Sequence, residues 1–283
     1  MANIKLKNIS DQSQQGDFVL SNLKQFEAHN DTLRPSVKLV FSGTENYIVN
    51  GRNFKLEAGS FLIVDKHSKI ELGIDDKNGV EGVCIFPTSE LINDVSRTQN
   101  YKSEELLDNP FDKKEVKFFE KSFKYGENKT GRFLQHYVKP IINGYDHNID
   151  LDFDSFYIGL AECMVEDQFK LGKKLNNLSS SKRTTKEELY RRVSNAKDLI
   201  EACYTDSINL DDLAQTAFLS KYHFLRSFKQ LYKVSPYQYI LQLRLNKAQE
   251  LLSLDYSYAE VSNIVGFSDD KNLRKAIKKL QIV

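Results

Sequence analysis

The 283-residue sequence predicts an α+β protein: an N-terminal β-barrel or jelly roll, a helical stretch, and a C-terminal all-helical domain. Three observations carry this. Short apolar segments punctuated by Gly43-Thr44, Asn50-Gly51 and Ala58-Gly59 lie in the region up to Pro87. From Thr88 the apolar period lengthens to three and four residues. From Leu210 to Leu280 one layout occurs twice: a short helix, a turn, then a second helix with a cationic face. One amphipathic helix joins the two copies.

At about 150 residues per domain, the length predicts two domains. Hydrophobic residues make up 40% of the chain, enough for ordinary cores, and the formal net charge is +1. Residues 186–283 hold 15 Lys+Arg against 12 Asp+Glu, so the remainder is slightly acidic. That mild asymmetry suits a weakly basic reader domain joined to a near-neutral one. The three cysteines, Cys84, Cys163 and Cys203, are odd in number and far apart. They form neither a disulfide framework nor a metal cluster, which points to a reducing compartment. The first residues contain no apolar targeting segment, and no run reaches ~18 apolar residues. A cytoplasmic protein without membrane contact is expected.

Among the strands, the clearest signal is Asn50-Gly51 between Tyr47-Ile48-Val49 and Phe54. Both central residues of a type I′ turn need positive φ, which Asn and Gly accept. Evenly spaced strands with such turns predict a barrel or jelly roll, and residues 79–86 read as a further strand. Beyond Thr88, Val116, Phe119 and Phe123 stand at i, i+3 and i+7. Phe133, Leu134 and Tyr137 repeat the spacing, and Phe156, Leu160 and Cys163/Met164 form another stripe. Three or four amphipathic helices are expected over 88–178. Small polar and charged residues mark 179–185 as a linker between domains 1–178 and 186–283.

In the last domain, Val193, Ala196 and Ile200 define one side of the first helix. Asn209 is placed to cap the next helix, with Asp212 three residues on. Ala214 and Ser262 are small residues at the two helix crossings, and Ser220 and Ser268 are the expected caps of the second helices. Those helices bury Phe224 with Phe228, and Leu273 with Ile277. Ser235-Pro236 opens the joining helix, where the missing N–H of proline costs nothing. That helix runs to about Leu252. Some 17 residues at 1.5 Å give about 25 Å, which lets the second helices of both units lie about one DNA turn apart, roughly 34 Å.

SKYHFLRSFKQLYKVSPYQYILQLRLNKAQELL (220–252) and IVGFSDDKNLRKAIKK (264–279) carry Ser235-Pro236, Arg244, Ala248, Leu251-Leu252 and Gly266-Phe267-Ser268-Asp269. In order and spacing these elements resemble the AraC/XylS family of bacterial transcription regulators, over about the last third of the chain. GTENYIVNGRNFKLEAGSFLIVDK resembles that family's cupin-like sensor domain. The resemblance implies a sequence-specific regulator that binds double-stranded DNA and responds to a small-molecule effector. It also implies a cupin-like β-domain, and helices around Val116–Phe123 and Phe156–Met164 that form a homodimer. RNA polymerase is a further expected partner. Three departures stand out. Phe218 and Lys233 occupy places where the family usually has glycine, and the sequence reaches Val283 where the family continues into a closing helix. A less well covered second unit is therefore expected.

Carried over by alignment, the positions that reach base edges are Lys221, Tyr222, Leu225 and Arg226 in the first unit, and Asp270, Lys271, Asn272 and Lys275 in the second. Arg and Lys donate to guanine, Asn pairs with adenine, and Tyr meets a thymine methyl or a phosphate. Ser220 and Ser268 combine capping with phosphate binding at a helix N-terminus. Lys229, Lys233, Arg274, Lys278 and Lys279 are expected on phosphates or in solvent, giving salt dependence but no code. The plain alternative for all of these is a solvated charged helix face. Arg244 is expected to pin the two units through hydrogen bonds to backbone. The histidines, His29, His67, His136, His147 and His223, form no His-x-His pair, so no metal site is expected. No nucleophile, P-loop or dinucleotide motif occurs, so neither an enzyme nor a cofactor is expected. The effector pocket is expected among Leu39, Phe41, Tyr47, Phe54, Phe61, Ile63 and Phe86. Two rivals stay open: a metal-free or degenerate cupin-like protein or enzyme, and a regulator with impaired DNA binding that acts through protein partners.

Overall fold

The computed structural model describes residues 5–8, 13–100, 115–144, 152–179 and 182–280. It divides into two compact units, Met1–Leu171 and Gly172–Val283.

The first unit is built on an antiparallel sheet. Its strands are β1 (Lys5–Asn8), β2 (Gly16–Asp31), β3 (Ser36–Ser42), β4 (Thr44–Val49), β5 (Arg52–Glu57), β6 (Ser60–Val64), β7 (Lys69–Pro87) and β8 (Lys121–Lys124). The order is β1-β2-β7-β3-β6-β8, with β4 joined to β5 and β7. At 19 residues, β7 is long enough to serve two neighbours: its first half pairs with β4 and its second with β3. β5 returns to lie beside β3 and β6, so the sheet rolls on itself, in keeping with the barrel or jelly roll expected from the strand and turn pattern. Asn50 and Gly51 have φ of 50° and 75°, the two positive values the hairpin signal required.

Both faces of this sheet are largely apolar, which is why β6 reads as a continuous hydrophobic run and β3 does so apart from Lys38. Val37, Leu39, Phe61, Ile63, Val83 and Ile85 meet Leu91 and Ile92 of α1 (Ser89–Asn100), Leu134 of α2 (Lys129–Gly144), and Phe156, Leu160 and Met164 of α3 (Phe153–Asn176). Alternate residues, among them Val40, Tyr47, Val49, Leu56, Leu62 and Val64, fill the rolled interior. Each fully buried large apolar side chain contributes roughly 1.5–3 kcal/mol. Asp167 of α3 fastens the start of α2, accepting from Thr130 N and Thr130 Oγ1 at 2.7 Å and from Lys129 N at 3.2 Å. A carboxylate at that end also complements the helix dipole.

Two expectations need correction. The helix expected around Val116–Phe123 is not formed over residues 115–124: β8 pairs there with β6, and Phe123 stacks on Phe61 at 5.5 Å. A four-residue strand is too short to display its own period, so aromatic spacing mimicked a helix. The strands therefore do not end at residue 87. Residues 101–114 lie outside the described residues, as does His147. The linker is also shorter than expected, because α4 (Arg183–Cys203) takes up residues 183–185. The buried Leu175 and Leu178 fall in the second unit, which starts before residue 178.

In the second unit, α4 is followed by α5 (Leu210–Thr216), α6 (Lys221–Tyr232), α7 (Pro236–Leu252), α8 (Tyr258–Val265) and α9 (Asp270–Leu280). Val193, Ala196 and Ile200 of α4 are buried as their spacing predicted, and Tyr190 joins them. Asn209 caps α5 by accepting from Asp212 N at 2.9 Å. Ser235 and Gln238 form a reciprocal capping box at the start of α7, with Pro236 first in the helix. Among the described residues no helix is long and apolar enough to cross a membrane, and no group of three or more His, Cys, Asp or Glu is placed to hold a metal ion.

Candidate nucleic-acid interface

Two helix-turn-helix units stand on either side of α7. In the first, α5 and α6 pack through Leu213, Ala214, Phe224 and Phe228, all buried. Phe228 lies at the centre of an aromatic group, 5.6 Å from Phe224, 4.7 Å from Tyr232 and 5.8 Å from Tyr239. In the second, α8 and α9 pack through Val261, Val265 and Leu273 against Leu245, Ala248 and Leu251 of α7. Leu273 is fully buried, and Ile277 is partly buried against the same cluster. The expected lack of cover thus does not extend to Leu273: α7 and α8 enclose it.

The units differ by one residue in the turn. Ser220 caps α6, accepting from His223 N at 3.3 Å. The equivalent cap of α9 is Asp269, which accepts from Asn272 N at 2.7 Å. Ser268 is therefore not the cap. Counted back from Phe224 and Leu273, Ser220 corresponds to Asp269, Tyr222 to Lys271, and Arg226 to Lys275. The extra residue follows Gly266, whose φ of 80° ends α8.

These helices present their predicted contact residues unequally. Tyr222 is 75% exposed, and Lys221, Arg226, Lys271 and Lys275 are exposed as well. Lys221 pairs with Asp211 at 2.6 Å, but both are exposed, and such pairs contribute only about 0–1 kcal/mol, so release to a phosphate costs little. Arg226 Nη2 donates to Ser179 Oγ at 3.4 Å, beside Gln230 Nε2 donating to the same atom at 2.7 Å. Asn272 donates to Ser268 Oγ at 2.8 Å and Asp269 Oδ2 at 3.0 Å, so pairing with a base requires it to leave its own turn. Arg274 lies 3.8 Å over the Tyr258 ring and donates to Asp270, which engages two groups expected on DNA or in solvent. Leu225 is 36% exposed.

The sequence reading missed two features here. Phe218 adopts φ of 51° and is 79% exposed; its place at a usual glycine was the available signal. Arg192 and Glu188 of α4 join His223, Arg226 and Gln230 around a groove of about 570 Å³, which no local pattern announces.

The residues proposed for an effector pocket divide between the two faces of the β-domain. Leu39, Phe61 and Ile63, with Phe41 partly buried, are in the core under the helices; Tyr47 and Phe54 belong to the rolled interior. Phe86 lies 4.2 Å beneath Lys38 Nζ and 5.5 Å from the Arg34 guanidinium. They do not share one core, because the side-chain direction alternates along each strand. Unexpected were the buried polar residues Lys38 and Glu45. Tyr47 Oη donates to Glu45 Oε2 at 2.6 Å. Burial pushes the Glu45 carboxyl above its ordinary value, against the pull of Tyr47 and Lys38. Burial likewise raises the Tyr47 phenol and the Cys84 thiol.

Repeated geometry, caps and cationic second helices define the second unit as a helix-turn-helix domain carrying the motif twice. Residues 213–281 match the family model described as a helix-turn-helix domain. That stretch holds the Ser235-Pro236, Arg244 and Gly266–Asp269 elements on which the resemblance to AraC-type regulators rests. The chain is 35% identical over 105 residues to the Msm operon regulatory protein of Streptococcus mutans, covering 37% of this chain and 36% of that protein. It is 32% identical over 76 residues to the uncharacterized HTH-type transcriptional regulator YbfI of Bacillus subtilis, covering 27% and 28%. The chain thus matches about a third of the length of these curated relatives. The crystal structure of a transcriptional regulator of Chromobacterium violaceum, described as containing an AraC-type DNA-binding domain, is 27% identical with a TM-score of 0.31, covering 33% of this chain and 85% of that one.

Proposed function

We propose that this protein is a sequence-specific transcription regulator that binds double-stranded DNA through both helix-turn-helix units. The observation that carries the reading is the duplication. Two second helices with exposed cationic first halves stand on a single capped spacer helix of 17 residues, about 25 Å long. Tyr222, Arg226, Lys271 and Lys275 read base edges, Ser220 and Ser268 lie at phosphates, and Lys221 and Asn272 join after releasing their present partners. Lys278 and Lys279 neutralise phosphates. The β-domain senses a small molecule; its interior sets Lys38, Glu45 and Tyr47 among apolar walls, a composition suited to an effector site. Ile158 and Phe169, both exposed and about three turns apart on α3, offer an apolar face for a second copy, since Phe156, Leu160 and Met164 are used within the protomer. We place the protein in the cytoplasm, as a regulator and not an enzyme, with RNA polymerase as a partner at the promoter.

Selection of the full-length protein on random duplex DNA tests this reading. One enriched site should emerge, containing two short blocks about one helical turn apart. Affinity should fall with salt at a slope near −0.9 per neutralised phosphate. No enrichment over the starting pool would sink the proposal.

A further inference from the structure

Arg244 stands at the midpoint of α7, and its guanidinium reaches both helix-turn-helix units. Nε donates to the carbonyl of Tyr204 at 2.6 Å and Nη2 to that of Asp206 at 2.8 Å. Those two carbonyls belong to the connection from α4 into α5, the first unit. Nη1 donates to the carbonyl of Gly266 at 2.5 Å, at the end of α8 in the second. The planar guanidinium suits such a three-way contact because its donors are fixed in a fork.

The acceptors are main-chain atoms at places where the backbone itself is fixed. Gly266 is held by its own N–H to the carbonyl of Ser262. A Cβ at Gly266 would collide with the carbonyl oxygen of Thr205, so the first unit's backbone is seated directly on the second unit's turn. Helix α7 alone sets the distance between its own ends. The chain leaves it through Ser253 and turns at Asp255, whose φ is 63°, and the second helix-turn-helix unit is seated on its C-terminal half by Val261, Val265 and Leu273 against Leu245, Ala248 and Leu251. Arg244 and the Thr205–Gly266 contact tie that seat to the first helix-turn-helix unit from the side.

DNA makes such a constraint readable. One turn of 10–10.5 base pairs spans about 34–36 Å, so each added base pair shifts a half-site by about 3.4 Å and rotates it by about 35°. Bonds of 2.5–2.8 Å from one guanidinium do not survive a displacement of that size.

We propose that Arg244 sets the spacing between the two half-sites this protein accepts, as a positioning residue that touches no base. The proposal rests on the DNA-binding reading above. Its test uses the full-length protein, the site enriched by the wild type, and versions with one base pair added or removed between the two blocks. The wild type should lose on the order of tenfold or more on either changed spacing, the worth of one bidentate base contact. Arg244→Ala should bind the original site more weakly, keep its base preference in the block read by α6, and discriminate among the three spacings by no more than about threefold, well under one such contact. Arg244→Lys, whose compact ammonium replaces a three-way fork, should fall between the two. Circular dichroism checks folding of both variants. If Arg244→Ala does not fold, Arg244→Lys decides by the same criterion. Spacing discrimination as sharp as wild type in a folded variant overturns the proposal. So does an equal loss of base preference in both blocks, which would mark Arg244 as a general support of the domain. If the wild type enriches no site, the DNA-binding reading fails and takes this one with it.

Discussion

Of the three non-glycine residues with positive φ among the described residues of 172–283, Phe218, Lys233 and Asp255, the first two are types that resist this conformation, and glycine at each of those two should stabilise the protein. Phe218 has φ of 51° in the turn between α5 and α6, and Lys233 has φ of 66° at the end of α6. Neither compensates by burial, since Phe218 is 79% exposed and Lys233 is exposed too. The left-handed conformation costs a residue with a Cβ roughly 1–2 kcal/mol. Glycine forfeits roughly 0.4–1 kcal/mol of that through its freer unfolded chain. Phe218→Gly and Lys233→Gly should therefore each gain about 0.5–1 kcal/mol, and the double variant about 1–2 kcal/mol if the sites are independent. For a domain of this size that raises the melting temperature by several degrees. Urea and thermal denaturation followed by circular dichroism would measure it. Melting unchanged or lowered in both single variants would refute the reasoning, because it would mean that these side chains make contacts that outweigh the strain.

Other outcomes follow from the packing and electrostatics. Leu273→Ala should cost about 2.7–5 kcal/mol, as for a fully enclosed leucine; a loss under about 1 kcal/mol would mean the second unit is loosely covered after all. Arg226→Ala and Lys275→Ala, at equivalent positions, should each cost about 1–3 kcal/mol and relax preference at one base pair of its own block; uniform weakening over a panel of single-base variants would reassign them to phosphate contacts. Glu45 has a raised carboxyl pKa in the fold, so the native state holds its proton more tightly than the unfolded chain does. Its stabilising term is present below the ordinary carboxylate range and is lost as pH rises through the raised value. Glu45→Gln, which mimics the protonated form, should therefore melt progressively higher than wild type as pH rises from about 4. A constant difference between the two curves would contradict this.

Much of the fold was legible because the signals were local. Asn50-Gly51, Ser235-Pro236 and Asn209 with Asp212 each describe a turn or cap made by adjacent atoms, and each formed as read. The stripes of α3 and α4 were legible because helices of that length repeat their period several times. β8 was not, since four residues paired with a strand some 60 positions earlier show no period of their own. The buried Glu45 was within reach: it shares its strand face with Tyr47 and Val49, and alternation from the hairpin turn points it inward. The second cap was misplaced because counting from the turn and counting from the buried Leu273 differ by one residue, and only packing shows which count holds. Leu273's enclosure was illegible for a related reason: its cover comes from α7 and α8, not from the helix that follows in the family pattern.

That one-residue difference has a consequence for the site as a whole. Each unit enters by the same sequence of short helix, turn and long helix, but Tyr222 and Arg226 stand in one where Lys271 and Lys275 stand in the other. The turn before α9 is longer as well, and Asp269 replaces the serine cap. A single chain therefore offers two unlike hands in a fixed order. If the chain binds DNA as proposed, each protomer has a front and a back on the duplex, and turning its two-block sequence end for end turns that protomer to face the other way.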